Sequence, residues 1–352
     1  MKKRLIAATL LFGMLIPMLL MSGCGKKEVL KLYLPGEYLG DGVISGFEKA
    51  YNCKVIIENF DSNEMMYTKI SAGDSYDVLI PSDYMIERLL KEDQLQKLDK
   101  SLITNIGNLA PEVTNLSFDP DNSYSVPYFW GNVGIVYAKN RVDIADLEKD
   151  GFGIFLNEKY KGNIYVYDSE RDMFMCAFKT LGYSCNTENE DEILEAYDWL
   201  VKIGKTMSPV YVTDEIIDNM LHEYEDLGIM YSGDAAYITS ENENLGYYVP
   251  ESGTNIWFDA MVIPKNAANP ELANKFINYM CTEKAARLNT QGVGYASPVA
   301  SILKEMTSED GDYFENEAYY PRTNANDELF HDSEYLRKRL SELWIKVKAA
   351  SE

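Results

Sequence analysis

The stretch YDVLIPSDYMIERLLKED, residues 76–93, decides how the chain folds. Its first part, YDVLIP (76–81), is a short apolar run of the kind that makes a buried strand. Its second part, SDYMIERLLKED (82–93), places apolar residues at helical spacing. A buried strand that runs straight into a helix is half of a βαβ unit, and the unit repeats on both sides. Upstream, VLKLYLP (29–35) reads as a strand and DGVISGFEKAY (41–51) as a helix with Asp41 at its N-cap. CKVIIENF (53–60) is a strand rich in β-branched residues. SNEMMYTKISAG (62–73) is a helix with Ser62 as cap and Gly73 as stop. Downstream, YSVPYFW (124–130) and NVGIVYAKN (132–140) read as two strands. A second series then follows. NIYVYD (163–168) leads to RDMFMCAFKTLG (171–182), DEILEAYDWLVKIG (191–204) is amphipathic, and PVYVT (209–213) and LGIMYSG (227–233) each lead into a helix. IWFDAMVIP (256–264) is another strand, before the helix that NPELANKFINYMC (269–281) starts. EYLRKRLSELWIKVKAA (334–350) is a terminal amphipathic helix. Strands alternating with helices imply covered, mostly parallel sheets. A length of 352 residues suits two domains or one split globule.

The chain carries a formal net charge of −23. Nucleic acid needs basic patches, so it is excluded as a partner. Acidity draws cations at long range, although it also serves solubility alone. The opening MKKRLIAATLLFGMLIPMLLMSGC has Lys2, Lys3 and Arg4, then an apolar run, then small residues, which is a secretory leader pattern. Pro17 interrupts the run, and its length is near the lower limit for spanning a bilayer. Met21-Ser22-Gly23-Cys24 resembles a bacterial lipobox, with Met21 where Leu is usual. That resemblance implies a signal peptide over 1–23, lipid on Cys24, and a tether over 24–28.

Cys53, Cys176, Cys185 and Cys281 show no CxxC or metal spacing, so they read as free thiols, with Cys176 and Cys185 the one near pair. His222 and His331 are the only histidines, which leaves little material for a zinc site or a His-based triad. No metal and no cofactor is expected. Several strands end in polar or aromatic residues just before a helix: Pro35-Gly36-Glu37-Tyr38, Ser82-Asp83-Tyr84, Asp168-Ser169, Thr213-Asp214 and Tyr231-Ser232-Gly233-Asp234. In open α/β sheets the ligand crevice lies at such carboxyl ends. Ser, Thr and Asp there also cap helices, but tyrosines do not. In TNIWFDAMVIP (254–264), Trp257 and Asp259 are two apart on a strand and so face the same side. A buried acid wants a partner, which is either a lysine of the protein or a guest cation.

Seven segments, in order and at matching spacing, resemble the polyamine-binding (spermidine/putrescine) proteins of bacterial ABC importers. They are SNEMMYTKI (62–70), YDVLIPSDYMIERL (76–89), LQKLDKS (95–101), SYSVPYFWGNVGI (123–135), LGYSCNT (181–187), IWFDAMVIP (256–264) and GYASP (294–298). The resemblance spans nearly the whole chain after the leader. It implies an α/β, two-lobed, periplasmic-binding-protein-like (type II) fold with the ligand in the interlobe cleft. It places the first lobe at 28–134 and 259–303 and the second at 135–255 and 304–352, with hinge strands near 134–137 and 255–259.

Carried over position by position, the resemblance implies a site of Glu37, Tyr38, Ser82, Tyr84, Asp168, Ser169, Asp172, Thr213, Tyr231, Trp257, Asp259 and Tyr295. Pro35 replaces a family Trp, Tyr231 stands where a Trp is expected, and a family Gln near the C-terminus has no counterpart around Phe330 and His331. A polyamine is a methylene chain with an ammonium at each end. Carboxylates pair with the ammoniums and aromatic faces cover the stem. Asp259 would hold one amine, flanked by Trp257 and Tyr295. Asp168 or Asp172 would hold the other end, with Tyr231 and Tyr38 along the stem, and Ser82, Tyr84 and Thr213 would add neutral hydrogen bonds. The implied role is a monomeric, non-enzymatic receptor on the outer face of a bacterial membrane or in the periplasm. It would be anchored through Cys24 and would hand its ligand to ABC permease subunits. The rival readings are the same fold binding another cationic or small polar solute, a sensor subunit, or a lipid-anchored hydrolase. No GxSxG, HExxH or phosphate loop supports the last.

Overall fold

A computed structural model describes residues 27–321 and 324–351. The leader, the lipobox and Cys24 lie outside the described residues. Among the described residues nine strands form one continuous sheet: β1 (Val29–Pro35), β2 (Lys54–Phe60), β3 (Val78–Leu79), β4 (Ser125–Ala138), β5 (Ile164–Tyr167), β6 (Val210–Val212), β7 (Leu227–Tyr231), β8 (Leu245–Tyr248) and β9 (Ile256–Val262). The order is β2-β1-β3-β9-β4-β7-β5-β6, with β8 also on β4. The pairs β1/β2, β1/β3, β5/β6 and β5/β7 are parallel. Every antiparallel pair involves β4 or β9.

The strand β4 makes the fold two-lobed. Its N-terminal half, Ser125–Asn132, pairs with β9. From Val133 onward it pairs with β7, and from Ile135 also with β8. One continuous strand therefore runs from one half of the sheet into the other. All of its residues are buried, and its only irregularity is a register shift between Pro127 and Phe129, where Pro127 lacks a donor for the ladder.

The expectation of two strands broken near residue 131 is corrected here. Gly131 is no break. A Cβ there would lie 2.5 Å from Trp257 Cζ2 and 2.5 Å from Ser232 Oγ, so the glycine lets β4 pass under those two side chains. The N-cap expected at Asp41 is also corrected. The helix Val43–Tyr51 starts after Gly42, which is left-handed at φ 85°, and has no side-chain cap. Ser62 does cap the helix Asn63–Ser71, its Oγ accepting from Met65 N at 3.2 Å.

The C-terminal helix Glu334–Ser351 buries Leu336, Leu340, Leu343, Trp344 and Val347. The helix packs on the helices Glu170–Leu181 and Glu190–Met207. Cys53, Cys176, Cys185 and Cys281 are free and buried. No described helix is long and apolar enough to cross a membrane.

Candidate functional site

The two lobes meet along β4 and β9, and the polar strand ends converge there. On β9, Trp257 and Asp259 are only 8% and 7% exposed. The turn after β1 brings in Tyr38, whose hydroxyl donates to Asp259 Oδ2. Tyr38 is itself held by Tyr128, whose hydroxyl donates to the Tyr38 carbonyl. Tyr295 follows the helix Glu283–Val293 and donates at 3.0 Å to Asp234 Oδ2. Tyr231 ends β7 and donates at 2.7 Å to Asp172 Oδ2.

These rings form an unbroken series. Tyr38 and Tyr295 have centroids 6.0 Å apart, Tyr295 and Trp257 5.2 Å, Trp257 and Tyr231 6.1 Å, and Tyr231 and Tyr167 5.5 Å. All four contacts are edge-to-face, the arrangement that aromatic quadrupoles favour. Gly233 is needed for it, because a Cβ there would meet the Tyr295 ring at 2.2 Å.

Three aspartates lie against this wall, each accepting from a tyrosine hydroxyl. None forms an ion pair with any described residue. Burial pushes the Asp259 carboxyl up to about 6, against the opposing hydrogen bond from Tyr38. Burial pushes Asp234 up to about 7 and raises Asp172 as well. Asp259 Oδ1 is buried and accepts no hydrogen bond, and the buried Trp257 Nε1 donates none. An unpartnered carboxylate oxygen in a buried site costs free energy that a bound cation would recover.

A fourth acid, Asp83, lies alongside. It accepts from Tyr84 N at 2.7 Å and from Phe258 N at 3.1 Å, which ties the helix Asp83–Lys91 to β9. Burial pushes its carboxyl up to about 8.

The remaining expected residues are placed differently. Ser82 sits beside the wall, since its backbone bridges to Asp259, while its hydroxyl accepts from Asn63 Nδ2 at 3.0 Å. Tyr84 donates to Glu64 Oε1 at 3.2 Å, and the Arg171 guanidinium covers its ring at 4.2 Å. Ser169 caps the helix Glu170–Leu181, accepting from Asp172 N at 3.5 Å.

Three expected residues are not gathered with the rest. Glu37 is exposed in a left-handed turn at φ 49°. Thr213 is exposed, and its hydroxyl and N–H both donate to Glu215, at 2.7 and 3.0 Å, which starts the next helix. Asp168 accepts from Trp344 Nε1 at 2.9 Å and pairs with Lys348 Nζ at 2.9 Å. The C-terminal helix crosses the end of β5 and takes that carboxylate. Of the two acids left open for the second amine, Asp172 alone faces the aromatic wall.

Asp83, Asp234, Tyr128 and Tyr167 were missed as site residues. Their signal was present: two of them lie within the polar strand ends Ser82-Asp83-Tyr84 and Tyr231-Ser232-Gly233-Asp234. The groups at the wall are cation acceptors and aromatic faces. His222 stacks on Tyr224, and His331 pairs with Glu87, so neither histidine is placed beside a nucleophile at this wall. Among the described residues no group of His, Cys, Asp and Glu is arranged to hold a metal ion.

The model of the bacterial extracellular solute-binding protein family matches residues 43–315. The spermidine/putrescine-binding periplasmic protein of Escherichia coli (strain K12) is 31% identical over 326 residues, covering 92% of each chain. Among solved structures, the spermidine/putrescine ABC transporter substrate-binding protein PotD of Streptococcus pneumoniae is 35% identical. It superposes with a TM-score of 0.79 over 93% of this chain and 100% of that one.

Proposed function

Because this chain belongs to the bacterial extracellular solute-binding protein family, we propose that it captures a polyamine outside the cytoplasm and delivers it to an ABC importer. The observation that carries this reading is the series of edge-to-face rings from Tyr38 to Tyr231, with Asp259 at one end and Asp172 at the other. Neither acid has a cation of its own among the described residues. Asp259 takes one ammonium, with Oδ1 as the free acceptor. Asp172 takes the other. Tyr295, Trp257 and Tyr231 cover the methylenes between them and add cation–π attraction of roughly 0.5 to 2 kcal/mol per contact.

The first lobe in this reading holds 28–134 and 259–303, and the second holds 135–255 and 304–352. The change of partner along β4, from β9 at Asn132 to β7 at Val133, supports the first hinge. Lobe closure brings the strand ends of both halves of the sheet onto the ligand. The receptor acts as a monomer, is anchored through lipid on Cys24, and docks on permease subunits.

Trp257 reports binding directly. Putrescine is expected to change the protein's tryptophan fluorescence, with Trp130, Trp199 and Trp344 as background. The change should be lost in Trp257→Phe. A variant that keeps the full change places the ligand elsewhere.

A further inference from the structure

Ser82 stands at the N-cap of the helix Asp83–Lys91, yet its side chain caps no helix N–H. A serine there normally turns its hydroxyl onto the first turn. Here another residue holds it. Asn63, the first residue of the helix Asn63–Ser71, closes a two-point clamp on Ser82. Its Oδ1 accepts from Ser82 N at 3.1 Å, and its Nδ2 donates to Ser82 Oγ at 3.0 Å. The direction of the second bond is forced. A backbone N–H only donates, so the Asn63 oxygen faces Ser82 N and the amide nitrogen faces the hydroxyl. The hydroxyl therefore accepts from Asn63, and its own hydrogen points elsewhere.

We propose that Asn63 is a positioning residue, which turns the Ser82 hydroxyl onto the Asp259 carboxylate and so readies that acid for a ligand ammonium. This rests on the polyamine reading above. An isolated antiparallel bridge sets Ser82 directly opposite Asp259. Residues opposite each other across such a bridge carry their side chains on one face, about 5 Å apart at Cβ. The register is held by Ala260 N, which donates to the Pro81 carbonyl at 3.1 Å. Tyr38 donates to Asp259 Oδ2, and Oδ1 is left without a hydrogen bond. Burial raises the Asp259 carboxyl, and the hydroxyls of Tyr38 and Ser82 both draw it back down. The second lone pair of Ser82 Oγ is free to accept from an ammonium seated at Oδ1. One serine thus serves the carboxylate and the cation together, while Asn63 holds its other lone pair. Without Asn63 the hydroxyl falls back on the helix N-terminus, the usual place for a cap serine.

The test is calorimetric titration with putrescine across the pH range in which Asp259 titrates. It uses the native protein, Asn63→Ala, Ser82→Ala and the double variant, with a thermal melt of each. Asn63→Ala and Ser82→Ala should each weaken putrescine binding roughly tenfold. Each should also move the acid loss of affinity to higher pH, because the ionised carboxylate has lost a donor. The double variant should bind no more than about twofold worse than Ser82→Ala, since Asn63 acts through that hydroxyl. Native affinity or an unshifted pH profile in Asn63→Ala overturns the inference, and so does a double variant in which the two losses multiply. Should Asn63→Ala fail to melt cooperatively, Asn63→Asp is read against Ser82→Ala in the same way, because it keeps an acceptor for Ser82 N but has no N–H to donate. Unaffected variants of a protein that binds putrescine remove this inference and leave the polyamine reading standing. No heat with putrescine from the native protein removes both.

Discussion

Replacing Asp259 by Asn separates a binding acid from a structural one. The side chain keeps its size and one carbonyl oxygen, so the Tyr38 hydroxyl retains an acceptor. What is lost is the charge. Burial holds the Asp259 carboxyl at about 6 instead of 3.8. The folded protein thus binds the proton more tightly than the unfolded chain, and stability from this group falls as pH rises through that window. At about pH 8 the ionised carboxylate costs the ligand-free fold roughly 3 kcal/mol. Asn avoids that cost but buries an amide donor, at roughly 1 to 3 kcal/mol if it finds no acceptor. The two terms nearly cancel, so the ligand-free melting temperature should stay level or rise.

Binding behaves oppositely. Removing the charge from a buried, hydrogen-bonded ion pair costs about 2 to 4 kcal/mol, or roughly 30- to 700-fold in affinity. Calorimetry with putrescine, and thermal melts with and without it, measure both. A melting temperature that drops while affinity stays within about threefold of the native value would refute the reasoning and make Asp259 a structural acid.

Three further outcomes follow from the same geometry. Because an ammonium favours the ionised carboxylate, putrescine affinity should fall as pH drops below about 6, by up to roughly tenfold per pH unit; a flat profile down to about pH 5 contradicts the role of Asp259. Asp168→Asn should leave putrescine affinity within about twofold and cost at most about 1 kcal/mol of stability, since the part-exposed pair with Lys348 is all it loses; a large loss of affinity would return Asp168 to the site. Gly233→Ala should weaken putrescine binding strongly, because its Cβ displaces the Tyr295 ring, and unchanged calorimetry would show that Tyr295 is not a wall of the site.

The sequence was most legible where one physical rule acted locally. The apolar run 76–81 feeding a helix gave β3 and the helix Asp83–Lys91, and the spacing of Trp257 and Asp259 gave their shared face. It was least legible where a distant side chain decided the outcome. Gly131 looks like a strand end until Trp257 and Ser232 are brought against it. Asp168 looks like a ligand for an amine until a helix 176 residues further along supplies Trp344 and Lys348. The strand β8, LGYY, and the helices Glu283–Val293 and Ala300–Met306 carry short or small-residue patterns that periodicity alone does not resolve. Arg171 is the extreme case. A charged residue in a helix's first turn gives no sign in sequence that two aromatic rings from other segments enclose it.

We propose that the cleft binds a cation at each end of a short apolar stem. The direct measurement is calorimetric titration of the purified protein with putrescine, with spermidine, and with the uncharged diol of putrescine's length. Saturable heat with putrescine and none with the diol is the predicted result. Equal heat with the diol, or no heat with any polyamine from a protein that still melts cooperatively, contradicts it.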